Sequence, residues 1–280
     1  MRFSIVTPSF NPSPWLSLCI ASVADQGVEV EHIVQDAGST DGTLDWLRDD
    51  PRIKAFVERD SGMYDAVNRG LRRAGGEILA YLNCDEQYLP GCLQTVETFF
   101  RTHPTVDVVF GDSVIVNADL EYLFHRKVQV PLQYHTWVAH LSVLTCATFF
   151  RRTVLDKHQL FFDARLRDVG DAEWMVRLLE HRIPMAVLRR FTSVFTMTGE
   201  NMSAKPNAIR ERAALEASAP FMARALKPAL ILHHRLRRVT GGIYLQRPFS
   251  YSIYTPRSLD TRASFDVTHP QFRWKTSSAT

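Results

Sequence analysis

Apolar and polar residues alternate in blocks along the first third of the chain, and the blocks predict strands and helices in turn. Four short apolar runs have the composition of strands, at FSIVTPS, VEVEHIVQD, IKAFVE and EILAYLN. Three segments between them have helical spacing or helix-start signals, at PWLSLCIASVADQ, AGSTDGTLDWLRDD and DSGMYDAVNRGLRRAGG. Strands and helices that alternate over short connections predict an α/β fold with a doubly wound, mostly parallel sheet.

Beyond residue 90 the periodicity is mixed. It predicts, in order, a helix, a strand, a hairpin turning at residues 117–119, a strand running into a helix, a helix from about Asp171 to Glu180, and one or two final strands. We interpret residues 91–204 as a mixed α+β half that completes the domain begun by residues 1–90. Residues 205–280 form a helical and irregular extension, which we expect to be poorly packed from about residue 239.

The composition is that of a globular protein, because 45% of the 280 residues are hydrophobic. The net charge of +3 is small, and we expect no nucleic-acid partner. Four cysteines without a CxxC pair favour a reducing compartment. The N-terminus lacks the pattern of a signal peptide, and no run approaches the ~18 apolar residues of a membrane span, so we expect a cytoplasmic protein.

Polar side chains stand where the predicted strands end. They are Thr7, Ser9, Asp36, Glu58, Asn83 and Asp85. In open α/β sheets, ligands bind outside the carboxyl ends of the strands. We therefore expect these side chains to gather along one edge of the sheet and to form a ligand site there.

The loop DAGSTDGT, after the second strand, has two interpretations. Asp36 at the strand end is placed to accept hydrogen bonds from a nucleobase or a ribose. The alternative is ordinary turn chemistry, with Thr40 or Asp41 as the N-cap of the helix that follows.

The segment ERDSGMYDAVNRG also has two interpretations. Asp65 and Asn68 are three residues apart and therefore share one face of the predicted helix, where they could meet a ligand. The simpler interpretation is a solvated helix with Asp60 or Ser61 as its N-cap, and for this segment alone we favour it.

The segment NCDE follows an apolar run that looks like a buried strand. Oxygen ligands from Asn83, Asp85 and Glu86 suit a hard cation such as Mg²⁺ or Mn²⁺, which substrate phosphates typically also hold. The alternative is a polar exit from the strand, with Asp85 capping the next turn.

The segment GDAEWMVRLLEH places two carboxylates, Asp171 and Glu173, at the start of a helix. Acidic residues there are stabilised by the helix dipole, which is the structural interpretation. The functional interpretation makes Asp171 a general base, which must then lie within hydrogen-bond reach of an acceptor hydroxyl.

Taken together and in this order, the segments SIVTPSFN, QDAGSTDGT, ERDSGMYDAVNRGLRRAGGEILAYLNCDE and DAEWMVRLL resemble the family 2 glycosyltransferases of GT-A fold. The nearest type is that of bacterial polysaccharide assembly, and the resemblance covers about residues 2–200. It implies an inverting transfer of a sugar from a nucleoside-diphosphate sugar, UDP-linked in this family type, to an acceptor hydroxyl on a glycan or lipid-linked saccharide. Residues 1–90 would then be the nucleotide-binding half and residues 91–204 the acceptor half.

The resemblance also implies a role for individual positions. The residues expected at the nucleoside pocket are Thr7, Pro8, Ser9, Asp36, Ser39 and Asp41. Those expected near the sugar diphosphate are Asp60, Asp65 and Asn68. Those expected to hold Mg²⁺ or Mn²⁺ are Asn83 and Asp85, and the candidates for the base are Asp171 and Glu173.

Two departures from the family pattern keep other functions open. Asn83 stands where the metal motif usually begins with Asp, and Glu86 stands where another Asp is usual. A catalytically silent protein that binds sugar nucleotides is therefore one alternative. A nucleotidyltransferase is another, although the first strand is not followed by a Gly-rich loop that contains Lys.

The segment ARALKPALILHHRLRRV, residues 223–239, interleaves leucines with arginines and histidines. Such a helix suits the interface of an anionic membrane on the inner face of the cell envelope, where a lipid-linked acceptor would be presented. The alternative is an amphipathic helix that packs on its own domain or on a second subunit.

Overall fold

The first four strands form a parallel sheet, as the sequence predicts. They are β1 (Phe3–Ser9), β2 (Val30–Asp36), β3 (Lys54–Val57) and β4 (Ile78–Tyr81). The helices between them are α1 (Trp15–Ala24), α2 (Leu44–Leu47) and α3 (Met63–Arg73). In the computed structural model, which describes residues 1–139, 141–199 and 206–272, the strand order is β3-β2-β1-β4.

The register of these strands aligns their carboxyl ends. Ser9 is paired with Asp36 across β1 and β2, and Val6 is paired with Tyr81 across β1 and β4. Helix α3 lies very close to β1, because a Cβ atom on Gly70 would be 2.4 Å from a methyl carbon of Val6. The polar segments that follow β1, β2 and β4 therefore emerge side by side at one edge of the sheet.

The second half of the sheet is mixed. Its strands are β5 (Gln87–Tyr88), β6 (Val108–Asn117), β7 (Tyr122–Arg126), β8 (Thr148–Arg151) and β9 (Met185–Met197). The helices are α4 (Cys92–Thr102), α5 (Gln133–Val138), α6 (Thr153–Asp156) and α7 (Gly170–Glu180). Strand β8 is antiparallel to β4 and to β6, and β6 is parallel to β9, which gives the order β3-β2-β1-β4-β8-β6-β9-β5 with β7 beside β6.

The C-terminal part contains three helices and a hairpin. The helices are α8 (Pro206–Ser218), α9 (Phe221–Ala225) and α10 (Lys227–Thr240), and the strands are β10 (Phe249–Thr255) and β11 (Ser258–Val267). The predicted boundary between residues 204 and 205 lies outside the described residues.

The expectation of a poorly packed tail is wrong for residues 249–267. Tyr251 and Ile253 of the hairpin are buried against Leu18 and Val114. Arg262 also bridges to both carboxylate oxygens of Asp25, each at 2.6 Å, and so ties the hairpin to the end of α1. The segment is rich in Tyr, Arg and Ser, and because of this composition its two strands were not predicted from the sequence.

Two predicted helix caps are also wrong. The residue before α2 is Thr43, and its N–H donates to Asp41 Oδ1 at 3.2 Å, so Asp41 supports the start of the helix without being its N-cap residue. The residue before α3 is Gly62 rather than Asp60 or Ser61, and its φ of 139° is one that residues with a side chain rarely adopt. Within the described ranges, no helix is both long enough and apolar enough to span a bilayer.

Candidate active site

Asp36 organises the loop that follows β2. Its Oδ1 accepts the backbone N–H groups of Gly38 at 2.9 Å and Ser39 at 2.8 Å, and its Oδ2 accepts the hydroxyls of Ser9 at 2.6 Å and Ser39 at 2.7 Å. The side chain is fully buried. A carboxylate has about four acceptor positions, so these donors fill them. Asp36 therefore holds the loop in place, and its predicted contact with a nucleobase or ribose stays a prediction.

The loops after β1 and β2 are bound to each other. The N–H of Asn11 donates to Ser39 Oγ at 2.8 Å, and the N–H of Ser13 donates to Asp41 Oδ2 at 2.9 Å. Between these contacts, Phe10 remains 63% exposed although it is a large apolar residue. The sequence analysis did not single out Phe10, whose ring offers a flat surface beside the predicted nucleoside pocket.

Thr7 and Pro8 are both buried at the end of β1. The Thr7 hydroxyl lies 2.9 Å from His32 Nε2 and 3.7 Å from Cys19 Sγ, and so faces the interior of the sheet. Burial lowers the pKa of His32 to about 3, so this imidazole is neutral at physiological pH. These contacts give Thr7 a structural role, and its predicted contact with a base remains a prediction.

Asp60 and Asp65 flank the start of α3. Asp60 Oδ1 accepts the N–H of Gly62 at 3.0 Å, and Asp65 Oδ2 pairs with Arg69 at 2.9 Å. Burial raises the pKa of Asp60, and the nearby charges of Asp65 and Asp36 raise it further. The structure thus brings three of the predicted acidic residues close together at the ends of β2 and β3.

Asn68 does not share this environment. Its side chain is buried, its Nδ2 donates to the carbonyl of Phe162 at 2.8 Å, and its Oδ1 accepts the N–H of Phe162 at 3.0 Å. The amide therefore holds the chain that leads into α7 instead of facing a ligand. Asp65 and Asn68 were predicted to share one face of α3. In the structure Asp65 lies at the start of the helix beside Asp60, whereas Asn68 is buried in the core.

The segment that follows β4 combines buried acids with oxygen atoms that lack a partner. Burial raises the pKa of Asp85, and burial together with the Asp85 charge raises the pKa of Glu86. Glu86 Oε2 accepts the N–H of Asn83 at 2.8 Å. In the described part of the chain, the buried atoms Asn83 Oδ1 and Glu86 Oε1 have no hydrogen-bond partner.

This chemistry fits a hard divalent cation. Two carboxylates that resist ionisation and an unpartnered amide oxygen would all be relieved by a positive charge. Among residues 1–139, 141–199 and 206–272, no three His, Cys, Asp or Glu side chains converge as a metal site. A Mg²⁺ or Mn²⁺ ion here would therefore use Asp85 and Asn83 and would depend on substrate phosphates and water for its other ligands.

Asp171 lies in the first turn of α7 and borders a cavity of about 520 Å³. Burial raises its pKa, and the Arg212 and Arg126 guanidinium groups oppose that effect. Its Oδ1 accepts the N–H of Ala172 at 2.8 Å, and its own N–H donates to Tyr64 Oη at 3.0 Å. The hydrogen bonds found among the described residues thus engage Oδ1 and leave Oδ2 for another partner.

Tyr81 lies near two acidic groups, Asp171 at the start of α7 and Glu86 in the segment after β4. Burial raises the pKa of its phenol well above the usual value, and the charges of Asp171 and Glu86 both add to the effect. The Tyr81 ring therefore lies within electrostatic range of both the base candidate and the segment that follows β4. Among the described residues, neither Asp36 nor Asp85 lines the cavity beside Asp171, so a single cavity that joins the strand ends to the start of α7 stays a prediction.

Glu173 faces a different environment from Asp171. It pairs with Arg177 one turn later on α7, at 2.6 Å, and is absent from the described residues that line the cavity. Trp174 is buried, donates its indole N–H to the Leu160 carbonyl at 2.6 Å and stacks on Phe162. Of the two candidate bases, the geometry favours Asp171, and Trp174 belongs to the core.

Two arginines that border the cavity, Arg126 and Arg212, were not predicted from the sequence. Arg126 ends β7 and is bound to the carbonyl of Leu141, and Arg212 lies on α8 and donates to the carbonyl of Ala139 at 2.7 Å. The rest of the lining is largely apolar and includes Val143, Leu144 and Phe195. No local motif marks these arginines, because only tertiary contacts bring them to Asp171.

The parallel strands, the acidic segment after β4 and the carboxylate at the start of α7 define a protein of GT-A fold. Residues 4–159 match the family model described as glycosyl transferase family 2, and the chain belongs to that family. The resemblance that the motifs indicate is thereby confirmed, as is the α/β fold class.

The chain is similar to curated relatives in glycan biosynthesis. It is 33% identical over 127 residues to a PGL/p-HBAD biosynthesis glycosyltransferase of Mycobacterium bovis, over 43% of this chain and 50% of that protein. It is also 33% identical over 121 residues to the GalNAc(5)-diNAcBac-PP-undecaprenol beta-1,3-glucosyltransferase of Campylobacter jejuni, over 41% of this chain and 38% of that protein. The chain thus spans about half or less of the length of these relatives.

Solved structures with the same fold include two complexes with sugar nucleotides. S. aureus TarS 1–349 in complex with UDP-GlcNAc has a TM-score of 0.61 at 20% identity, over 86% of this chain and 73% of that one. The mannosyltransferase PcManGT of Pyrobaculum calidifontis, in complex with GDP-Man and Mn²⁺, has a TM-score of 0.56 at 17% identity, over 86% of this chain and 83% of that one. At these identities the likeness establishes the fold alone.

Proposed function

We propose that the protein is an inverting glycosyltransferase that moves a sugar from a nucleoside-diphosphate sugar to an acceptor hydroxyl on a glycan or lipid-linked saccharide. The observation that carries the proposal is the position of Asp171, a carboxylate of raised pKa that borders a cavity. Asp171 and Glu86 of the segment after β4 both lie within electrostatic range of Tyr81. Family membership and the sugar-nucleotide complexes of the two structural neighbours support the proposal.

The donor nucleoside is assigned to the loops after β1 and β2. Asp36 fixes the backbone of residues 37–39, and Asn11 joins that loop to the one carrying Phe10. The exposed Phe10 ring would stack on the base, since every nucleobase presents an aromatic face. We assign UDP as the nucleotide by resemblance to the family, which is the part of the proposal that a donor panel tests first.

The diphosphate is assigned to the segment after β4. Asp85 and Asn83 would hold Mg²⁺ or Mn²⁺, and the chemistry that such a cation supplies is neutralisation of charge on the leaving diphosphate. Asp85 contributes the formal negative charge, and Asn83 Oδ1 contributes a neutral oxygen that has no partner in the described structure. The substitution of Asn for Asp at position 83 lowers the negative charge of this site without removing an oxygen ligand.

Asp171 is assigned as the general base. Its Oδ2 would accept the proton of the acceptor hydroxyl while the new bond to the anomeric carbon forms and the bond to the diphosphate breaks. A single displacement of this kind inverts the anomeric configuration and needs no second carboxylate as a nucleophile. A well-placed general base typically contributes ~10²–10⁴-fold to the rate.

The acceptor is assigned to the cavity beside Asp171. Its lining combines apolar side chains with the guanidinium groups of Arg126 and Arg212 and the carboxylates of Asp168 and Asp171. Such a lining suits an acceptor with both an anionic group and an apolar part, because arginine binds phosphate and carboxylate groups well. A saccharide linked to a lipid through phosphate has both features.

The test is a screen of UDP-, GDP- and dTDP-sugars with and without Mn²⁺, read by thermal shift and by release of nucleoside diphosphate in the presence of saccharide and lipid-linked acceptors. The proposal predicts both a donor-induced shift and release of the diphosphate. A shift without release on any acceptor would favour a silent binding protein. Release of pyrophosphate from a nucleoside triphosphate would instead identify a nucleotidyltransferase.

A further inference from the structure

The exposed large apolar side chains of the described residues are concentrated in one stretch of the chain. Most of them lie between residues 209 and 245, on and around helices α8, α9 and α10. They are Ile209, Phe221, Met222, Leu226, Leu232, Leu236, Val239 and Leu245, with exposed fractions from 42% to 77%. Such a concentration marks an interaction site rather than the scattered exposure that is normal on a soluble surface.

Helix α10 shows how this surface is built. Leu232, Leu236 and Val239 are spaced i, i+4 and i+7, which places them on one side of a helix. The opposite side carries the buried His234, and it packs toward α5 and α9. The helix therefore has an inner face that joins it to the domain and an outer apolar face that the fold does not use.

The charge of the same segment is strongly positive. Between residues 206 and 247, the basic residues are Arg210, Arg212, Arg224, Lys227, Arg235, Arg237, Arg238 and Arg247, against only Glu211 and Glu216. Both acids are engaged, since Glu216 pairs with Lys227 at 2.5 Å and Glu211 accepts backbone N–H groups of residues 167–169. Arg224, Arg235 and Arg247 are exposed among the apolar residues.

We propose that the outer face of α9 and α10 docks on the surface of an anionic lipid bilayer. This face, hereafter the basic apolar face, consists of the exposed residues Phe221, Met222, Arg224, Leu226, Leu232, Arg235, Leu236 and Val239. Apolar side chains of this face would enter the boundary between headgroups and acyl chains, and the arginines beside them would meet the anionic headgroups. A protein partner of matching shape would also cover apolar residues, but the surplus of exposed arginine specifically complements a negatively charged lipid surface.

Docking by this face has a consequence for the cavity. Ala208, Ile209 and Arg212 of α8 line the cavity beside Asp171, and Ile209 is itself 67% exposed. Helix α8 is joined to α10 by the ion pair of Glu216 with Lys227, so it links the cavity to the helices of the basic apolar face, and a lipid-linked acceptor from the bilayer would reach the cavity along α8. This consequence rests on the proposed transferase function, whereas the binding to lipid does not.

The experiment measures co-sedimentation of the full chain with vesicles of phosphatidylcholine alone and with vesicles of phosphatidylcholine mixed equally with phosphatidylglycerol. We expect binding to the mixed vesicles that weakens as salt is raised, and much weaker binding to phosphatidylcholine. Leu232→Asp combined with Leu236→Asp is expected to lower the affinity for mixed vesicles at least about tenfold, because two side chains lose their burial. Arg224→Glu combined with Arg235→Glu leaves the apolar residues in place, and it should also lower the affinity for mixed vesicles.

The controls are matched substitutions on the β10–β11 hairpin. Leu259→Asp and Arg257→Glu change an exposed leucine and an exposed arginine outside the basic apolar face, and binding should be unchanged. The proposal is overturned if wild type does not bind mixed vesicles, or if the hairpin variants lose binding as much as the α10 variant. It is also overturned if wild type is a dimer that the α10 variant converts to a monomer, without any binding to vesicles. None of these readouts requires transferase activity.

Discussion

The hydroxyl of Tyr64 accepts a hydrogen bond from the backbone N–H of Asp171 at 3.0 Å. Tyr64 lies on α3, beside the donor loops, whereas Asp171 begins α7 in the other half of the domain. The ring leaves no room for a side chain at position 170, since a Cβ atom on Gly170 would be 2.6 Å from it. The position of the base candidate is therefore set by α3, the helix that borders the proposed donor site.

We expect Tyr64→Phe to lower kcat while it leaves the KM for donor nearly unchanged. The variant keeps the ring and its stacking on Phe162, at 5.5 Å between centroids, but it leaves the Asp171 N–H without its acceptor. An unsatisfied buried donor costs about 1–3 kcal/mol, so thermal unfolding should also move to lower temperature. Steady-state kinetics against donor concentration measure the first effect, and a kcat equal to that of wild type would contradict the positioning role.

We expect Asn68→Ala to destabilise the protein by about 2 kcal/mol, because it removes both hydrogen bonds to the Phe162 backbone. This corresponds to a fall of about 3 °C in the midpoint of thermal unfolding. The donor-induced thermal shift should persist in the folded variant. An unchanged midpoint with a lost donor shift would show instead that the amide faces the donor.

We expect Asp85→Asn to abolish the part of the donor-induced thermal shift that depends on Mn²⁺ or Mg²⁺. The variant removes the carboxylate that we assign to the cation, and in wild type a chelator should have the same effect. Asp163→Asn is the matched control, because Asp163 forms an exposed ion pair with Arg165. A metal-dependent shift that survives in Asp85→Asn would remove this residue from the metal site.

Glu31 gives a prediction on pH dependence. Burial would raise its pKa, but hydrogen bonds from Lys54, Ser4 and the N–H of Gly75 outweigh burial and lower the pKa to about 2 from 4.5. The stabilisation of the folded state by the charged Glu31 carboxylate is therefore fully present above pH 4.5 and is lost as the pH falls toward 2.

Glu31→Gln should accordingly cost roughly 2 kcal/mol at neutral pH and progressively less in acid. Thermal unfolding of wild type and variant across this range measures the difference. A difference that stays constant down to the lowest pH would show that the carboxylate charge does not carry the stabilisation.

Much of the fold follows from local sequence patterns, whereas parts of the site depend on contacts between distant residues. Alternating apolar blocks predict β1 to β4 and the ends of β2 and β4, where Asp36 and Asp85 stand. The hairpin at residues 249–267 was misjudged because its burial depends on α1, more than 200 residues earlier in the chain.

The roles of individual polar residues show the same limit. Asp36 is correctly expected at a strand end, but its four hydrogen bonds depend on the turn that residues 37–39 adopt and on Ser9 from another strand. Arg126 and Arg212 come from separate elements and meet at Asp171 only in the folded chain. Spacing along the sequence therefore predicts which edge of the sheet holds the site, and tertiary packing decides which side chains remain available.

The most direct test of the account is the rate of nucleoside diphosphate release by Asp171→Asn, compared with wild type and with Glu173→Gln. We expect Asp171→Asn to keep the donor-induced thermal shift and to lose ~10²–10⁴-fold in transfer rate, because the amide cannot accept the acceptor proton. Glu173→Gln changes a neighbouring carboxylate on the same helix, one that pairs with Arg177. The transfer rate of this variant should stay within a few-fold of the wild-type rate. Turnover by Asp171→Asn at the wild-type rate, or a loss in Glu173→Gln of the size expected for Asp171→Asn, would contradict the account.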